Sequence, residues 1–139
     1  MTQHWAMAYI GKPWCAGAAG PDAYSCWGLV RAVMRERYGV ELPASQVDEN
    51  DLRACIEAIR GSSEAALWEP VPVGEPPHDG DGVELSHSTR PHHVGVWIDA
   101  EPEPGVLHSL EGSGVVFTTL SALRRNHWRT ISFHRRRAA

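Results

Sequence analysis

The apolar residues of this chain change their period partway along it, and that change restricts the fold more than any other feature. Up to residue 61 they recur at helical spacing. Trp27, Val30, Val33, Met34 and Tyr38 follow Cys26 along one face and stop at Gly39, which predicts a helix led by Cys26. Trp5, Ala8 and Tyr9 predict a short first helix over residues 4–10. Leu52, Cys55, Ile56 and Ile59 predict a third within DENDLRACIEAIRG, with acidic residues in its first turn, Cys55 in the core and Gly61 as its stop. From residue 68 the segment WEPVPVGEPPHDGDG breaks helices with Pro, Gly and Asp and reads as an ordered linker. Beyond it the period is two. GVELSH, HHVGVWID, GVLHSLEG, GVVFTTL and HWRTISFH predict antiparallel strands, with SALRRN as a helical turn between the last two. Helices first and strands afterwards predict an α+β fold, the N-terminal helices packed on one face of a C-terminal antiparallel sheet.

A chain of 139 residues fits one domain, residues 1–139, and can bury roughly two thirds of its unfolded surface without staples. The formal charge of −4, with no long basic stripe, argues against nucleic acid as the main partner. Arg135, Arg136 and Arg137 form a short basic run that reads as a solvated tail, or else as a docking handle for an acidic partner. The Pro-rich stretch Pro70 to Pro77 is a second candidate docking surface. Cys15, Cys26 and Cys55 are an odd number without a C-x-x-C pair, so neither a disulfide framework nor structural zinc is expected. MTQHWAMAYIG has neither a basic leader nor a long apolar run, and no membrane span follows, so synthesis in the cytosol is expected.

Chemistry concentrates at Cys26. A side chain in the first turn of a helix meets unpaired backbone N–H groups and the positive end of the helix dipole, and both favour a thiolate. A small buried residue is the plainer alternative for a cysteine. Two histidines lie in suggestive strands. His93 shares a face with Gly95 and Trp97, while His92, Val94, Val96 and Ile98 face the other way. His108 follows one connection later, and neighbouring antiparallel strands bring same-face imidazoles within hydrogen-bond reach. A nucleophile, a base and a group that fixes the base's tautomer would then be in place. His4, His78, His87, His127 and His134 have no evident partner.

The segments YIGKPWCAGAAGPDAYSCWGLVRAVMRERYGVELP, DGDGVELSHSTRPHHVGVWID and GVLHSLEGSGV resemble, in this order, the NlpC-type cell-wall cysteine peptidases, which have a papain-like fold. LSALRRNHWRTISFHRR is similar to the end of the version found among bacteriophage tail-assembly proteins. The resemblance implies Cys26 as nucleophile, His93 as general base and His108 as the residue that orients it. It implies cleavage of peptidoglycan stem peptides, typically between D-glutamate, through its γ-carboxyl, and a diamino acid. Trp14 stands where many members carry a tyrosine that helps hold the oxyanion, and Ser25 where many carry aspartate. Trp14 and Ser25 are therefore candidate oxyanion or substrate-binding residues, Ser25 also as a helix cap. The phage branch implies tail-tip or tail-assembly partners, synthesis in the host cytoplasm, carriage in the virion and action at the bacterial wall. No cofactor is implied. A zinc site of His87, His92, His93 and His108 would place two ligands on the wrong face, and no H-E-x-x-H spacing is present. A third reading is a tail protein that keeps the fold with little or no catalysis.

Overall fold

The computed structural model describes residues 4–44, 67–87 and 90–136, with residues 87, 90–92, 130 and 131 described by backbone alone. The third predicted helix, Cys55 and Arg137 lie outside the described residues, and so does the side chain of His92. The first helix is a single 3-10 turn, Trp5–Ala8, capped by His4, whose Nδ1 accepts from the Ala6 N–H at 3.1 Å. It goes no further because the chain turns into the sheet: the Gly11 N–H donates to the Val115 carbonyl at 3.0 Å.

Helix α1 spans Cys26–Tyr38, as its apolar face predicts. Ser25 caps its start, and Gly39 ends it in the left-handed conformation, φ 68°, which costs glycine little. The strands are β1 Trp68–Pro70, β2 Gly82–His87, β3 Arg90–Ile98, β4 Gly105–Leu110, β5 Gly114–Thr119 and β6 Trp128–Arg136, with a short helix α2, Leu120–Arg125, before β6. They form one six-stranded antiparallel sheet in the order β1-β6-β2-β3-β4-β5. β1 falls in the segment read as linker. Pro70 has no N–H to donate, and an edge strand is where a sheet tolerates it.

Alternation along the strands divides the core into two layers. Val96, Ile98, Leu107 and Val115 pack with Leu29, Val30 and Val33 of α1. Their sequence neighbours Trp97 and Val106 turn to the opposite face and pack with Val83, Leu85 and Leu123 of α2. The N-terminal helix thus covers one face, as expected, and the six-residue α2 closes the other. Arg135 departs from both readings of the basic run: it lies in β6, and its Nε and Nη2 donate to the buried Asp81 carboxylate at 2.9 and 2.8 Å.

Candidate active site

The start of α1 is built by the loop in front of it. The Ser25 Oγ accepts from the Gly28 N–H at 2.9 Å, satisfying one of the first-turn donors. The Ser25 N–H in turn donates to the Ala18 carbonyl at 2.9 Å. A Cβ at residue 28 would overlap that same Ala18 oxygen, so glycine is what lets the loop press against the first turn. Trp14 pairs with Tyr24 in a parallel bridge, and the Cys15 N–H donates to the Tyr24 carbonyl. Ser25 is buried, with its hydroxyl committed to the cap, whereas Trp14 is half-buried on the strip that pairs with Tyr24. Cys26 is the first residue of α1 and is 2% exposed.

The two strands against which α1 packs carry the expected histidines. The β3–β4 ladder is short, pairing Val96, Trp97 and Ile98 with Leu107, Val106 and Gly105. Where it ends, the His93 Nε2 lies 3.0 Å from the His108 Nδ1. Gly95 makes this approach possible: a Cβ there would meet the Val106 side chain at 2.5 Å and the His108 Cβ at 3.0 Å. The His108 Nε2 lies 2.9 Å from the Thr118 Oγ1 of β5. Both imidazoles are buried. Desolvation lowers the His108 pKa from 6.5 to about 4, so this ring is neutral around pH 7. One residue past His108, the Ser109 Oγ donates to the Tyr24 carbonyl at 2.7 Å, fastening the segment that leads into Cys26 onto β4.

The expected pairing of His93 with His108 is therefore present, and both stand on strands that meet the helix of Cys26. Three participants were not foreseen. Thr118 completes the chain of imidazoles, Ser109 ties the loop before Cys26 to β4, and Trp128 roofs the pair. The Trp128 ring lies 5.5 Å from the His93 ring and 6.2 Å, edge-on, from that of His108. Trp128 is delivered by a tight turn in which His127 takes φ 64°. The signal for it was a bulky aromatic just after a turn, at the head of a strand, which periodicity alone does not tie to a histidine.

Two other histidines also have partners. His4 caps the first turn, and the His134 Nε2 lies 2.8 Å from the Ser132 Oγ. Among the described residues no three His, Cys, Asp or Glu side chains gather as metal ligands, and no helix is long and apolar enough to cross a membrane. Comparison with curated proteins returns no match. The model of the NlpC/P60 family matches residues 11–137, which include the loop before α1, the imidazole pair and every strand of the sheet. On that match the chain belongs to the NlpC/P60 family, whose members are cysteine peptidases that cut cell-wall peptidoglycan.

Proposed function

We propose that this chain, as a single domain, is a peptidoglycan endopeptidase in which Cys26 is the nucleophile, His93 the general base and His108 the residue that orients His93. The single observation that carries the reading is the buried 3.0 Å contact between the two imidazoles, on strands that pack against the helix headed by Cys26. It occupies Nε2 of His93 and leaves Nδ1 for the thiol proton. The thiolate attacks the scissile carbonyl, and backbone N–H groups at the start of α1 stabilise the oxyanion. The imidazolium then returns its proton to the leaving amine. His93 next activates a water that hydrolyses the thioester and regenerates the thiol. Ser25 serves this site as the cap that fixes the first turn, and Trp14 offers its indole to substrate at the rim. Digestion of purified sacculi, with mass analysis of the released fragments, tests the reading: wild type is expected to release stem-peptide fragments and Cys26→Ala none. Equal release by both proteins ends it.

The setting is proposed as a bacteriophage tail, with tail-tip or tail-assembly proteins as partners and local wall cleavage as the task. The similarity of LSALRRNHWRTISFHRR to the phage version of the family supports it. The protein is then made in the host cytoplasm and carried in the virion to the next cell's wall. Mass spectrometry of purified particles and tail intermediates is expected to find this chain, and deletion of its gene to impair tail assembly or infection; absence from both together with normal infection refutes the setting. Trp14 in place of the family tyrosine favours a second reading, a tail protein that keeps the fold with little turnover. A folded wild-type protein that releases nothing from sacculi selects it.

A further inference from the structure

The positions of the ring nitrogens admit two opposite proton arrangements. In one, the His93 Nε2–H donates to His108 Nδ1, and the His108 Nε2–H donates to Thr118 Oγ1, across 3.0 and 2.9 Å. In the other, both bonds run in reverse: the Thr118 hydroxyl donates to His108 Nε2, and the His108 Nδ1–H donates to His93 Nε2. The two are not chemically equivalent. In the reversed arrangement a neutral His93 carries its hydrogen on Nδ1 and has no lone pair there to accept a thiol proton. In the forward arrangement Nδ1 carries a lone pair and no hydrogen, and the Nε2–H bond is already in place when His93 becomes an imidazolium.

We propose that Thr118 is a positioning residue that holds His108 as its Nε2–H tautomer and thereby keeps Nδ1 of His93 unprotonated, able to act as a base. The inference rests on the role proposed above for His93. The sheet register brings Thr118 there: His108 pairs with Val116, so Thr118 is the diagonal neighbour on the same face of β5. Burial reinforces the choice. A ring kept neutral has one N–H and one lone pair, so the hydrogen-bond chain must run in a single direction. Thr118 is only half-buried, so its own hydroxyl hydrogen can turn to solvent while its oxygen accepts from the imidazole. Valine at this position would fill nearly the same volume but offer no acceptor. An unpaired buried N–H is tolerated less readily than an unpaired acceptor, so the hydrogen of His108 would move to Nδ1, where His93 accepts it.

The test uses the full chain with isotope-labelled histidine and long-range proton–nitrogen correlation spectra, which separate protonated from bare ring nitrogens; His108→Gln assigns the signals. Wild type and Thr118→Ser are expected to carry hydrogen on Nε2 of His108, and Thr118→Val to shift toward Nδ1. Hydrolysis of peptidoglycan fragments is expected to fall about ten- to a hundredfold in Thr118→Val, the size of one buried donor left unpaired, and to recover most of that loss in Thr118→Ser. Hydrogen on Nδ1 of His108 in the wild type overturns the proposal whether or not any variant folds. A folded Thr118→Val that keeps the Nε2–H signature at full rate also overturns it. A wild type that shows the Nε2–H tautomer and loses it in Thr118→Val, yet hydrolyses nothing, upholds the role of Thr118 in fixing the ring and ends the peptidase reading alone.

Discussion

Two polar clusters lie in the same sheet and are held in opposite ways. On β2 and β6 the cluster is charged. Asp81, just ahead of β2, receives a bidentate pair from Arg135, and Glu84 accepts from the Ser132 Oγ at 2.8 Å with His134 close by. On β3, β4 and β5 the cluster is His93, His108 and Thr118, and the bonds that join them include no carboxylate. The charged cluster sits where β2 pairs with β6 along its length, and the imidazole cluster where the β3–β4 ladder stops. Fixed opposite charges brace a place whose protonation need not change. The bonded chain at the proposed base is instead made of imidazoles and a hydroxyl. A fixed carboxylate beside His93 would raise its proton affinity and favour the imidazolium at rest.

The largest expected effect falls on the imidazole cluster's chemistry. Cys26→Ala and His93→Ala are each expected to lower hydrolysis at least about a thousandfold, since members of such a unit act non-additively. Circular dichroism should show the fold retained in both. Substantial activity in His93→Ala, with Cys26→Ala inactive, would move the base elsewhere and dissolve the contrast between the clusters.

Acid should single out the same cluster. Unfolded His108 titrates near 6.5 and folded His108 near 4, so between these values only the unfolded chain takes the proton. The contribution of a neutral His108 is fully present above pH 6.5 and is lost progressively as the pH falls toward 4, about 3 kcal/mol in all. Urea unfolding across this range compares wild type with His108→Gln, which should lack that slope. Parallel slopes would mean that His108 is not the group that burial keeps neutral.

On the charged side, Asp81→Asn leaves the Arg135 guanidinium without its carboxylate. With the Arg135 side chain 39% exposed, water compensates in part, and a stability loss of about 2 kcal/mol is expected by urea unfolding. Hydrolysis per folded molecule should not change. A drop in rate without a drop in stability would couple the two clusters.

Much of this arrangement was legible in the sequence because it is locally encoded. Period-two runs placed β2 to β6 within two residues at each end, and Ser25 and Gly39 marked the ends of α1. The imidazole pair could be expected because β3 and β4 are joined by one short connection. What stayed hidden depends on contacts between residues far apart in the chain. β1 is three residues long and pairs with the distant β6. Asp81 and Arg135 lie 54 residues apart, and Tyr24 and Ser109 lie 85 apart. No local pattern announces such partners. Trp128 reads as an ordinary strand aromatic until the sheet register lays its ring against His93.

The smallest expected effect is the sharpest control, because it makes the same substitution in the other cluster. The Ser132 Oγ lies 2.8 Å from both Glu84 Oε2 and His134 Nε2. A hydroxyl has one hydrogen, and the carboxylate of Glu84 can only accept, so Ser132 donates to Glu84 and accepts from the His134 Nε2–H. Glutamine carries an amide donor that can take over that bond. The His134 side chain is 32% exposed, so solvent meets whatever the shorter residue does not. His134→Gln is therefore expected to change stability by no more than about 0.5 kcal/mol and to leave hydrolysis at the wild-type rate. His108→Gln, one sheet position in kind but buried beside His93, should retain activity that is measurable yet clearly reduced. Parallel assays of the two variants at equal concentrations of folded protein decide the matter. If His134→Gln loses as much activity as His108→Gln, the β2–β6 cluster is not a passive brace, and the sheet must be treated as one coupled polar network.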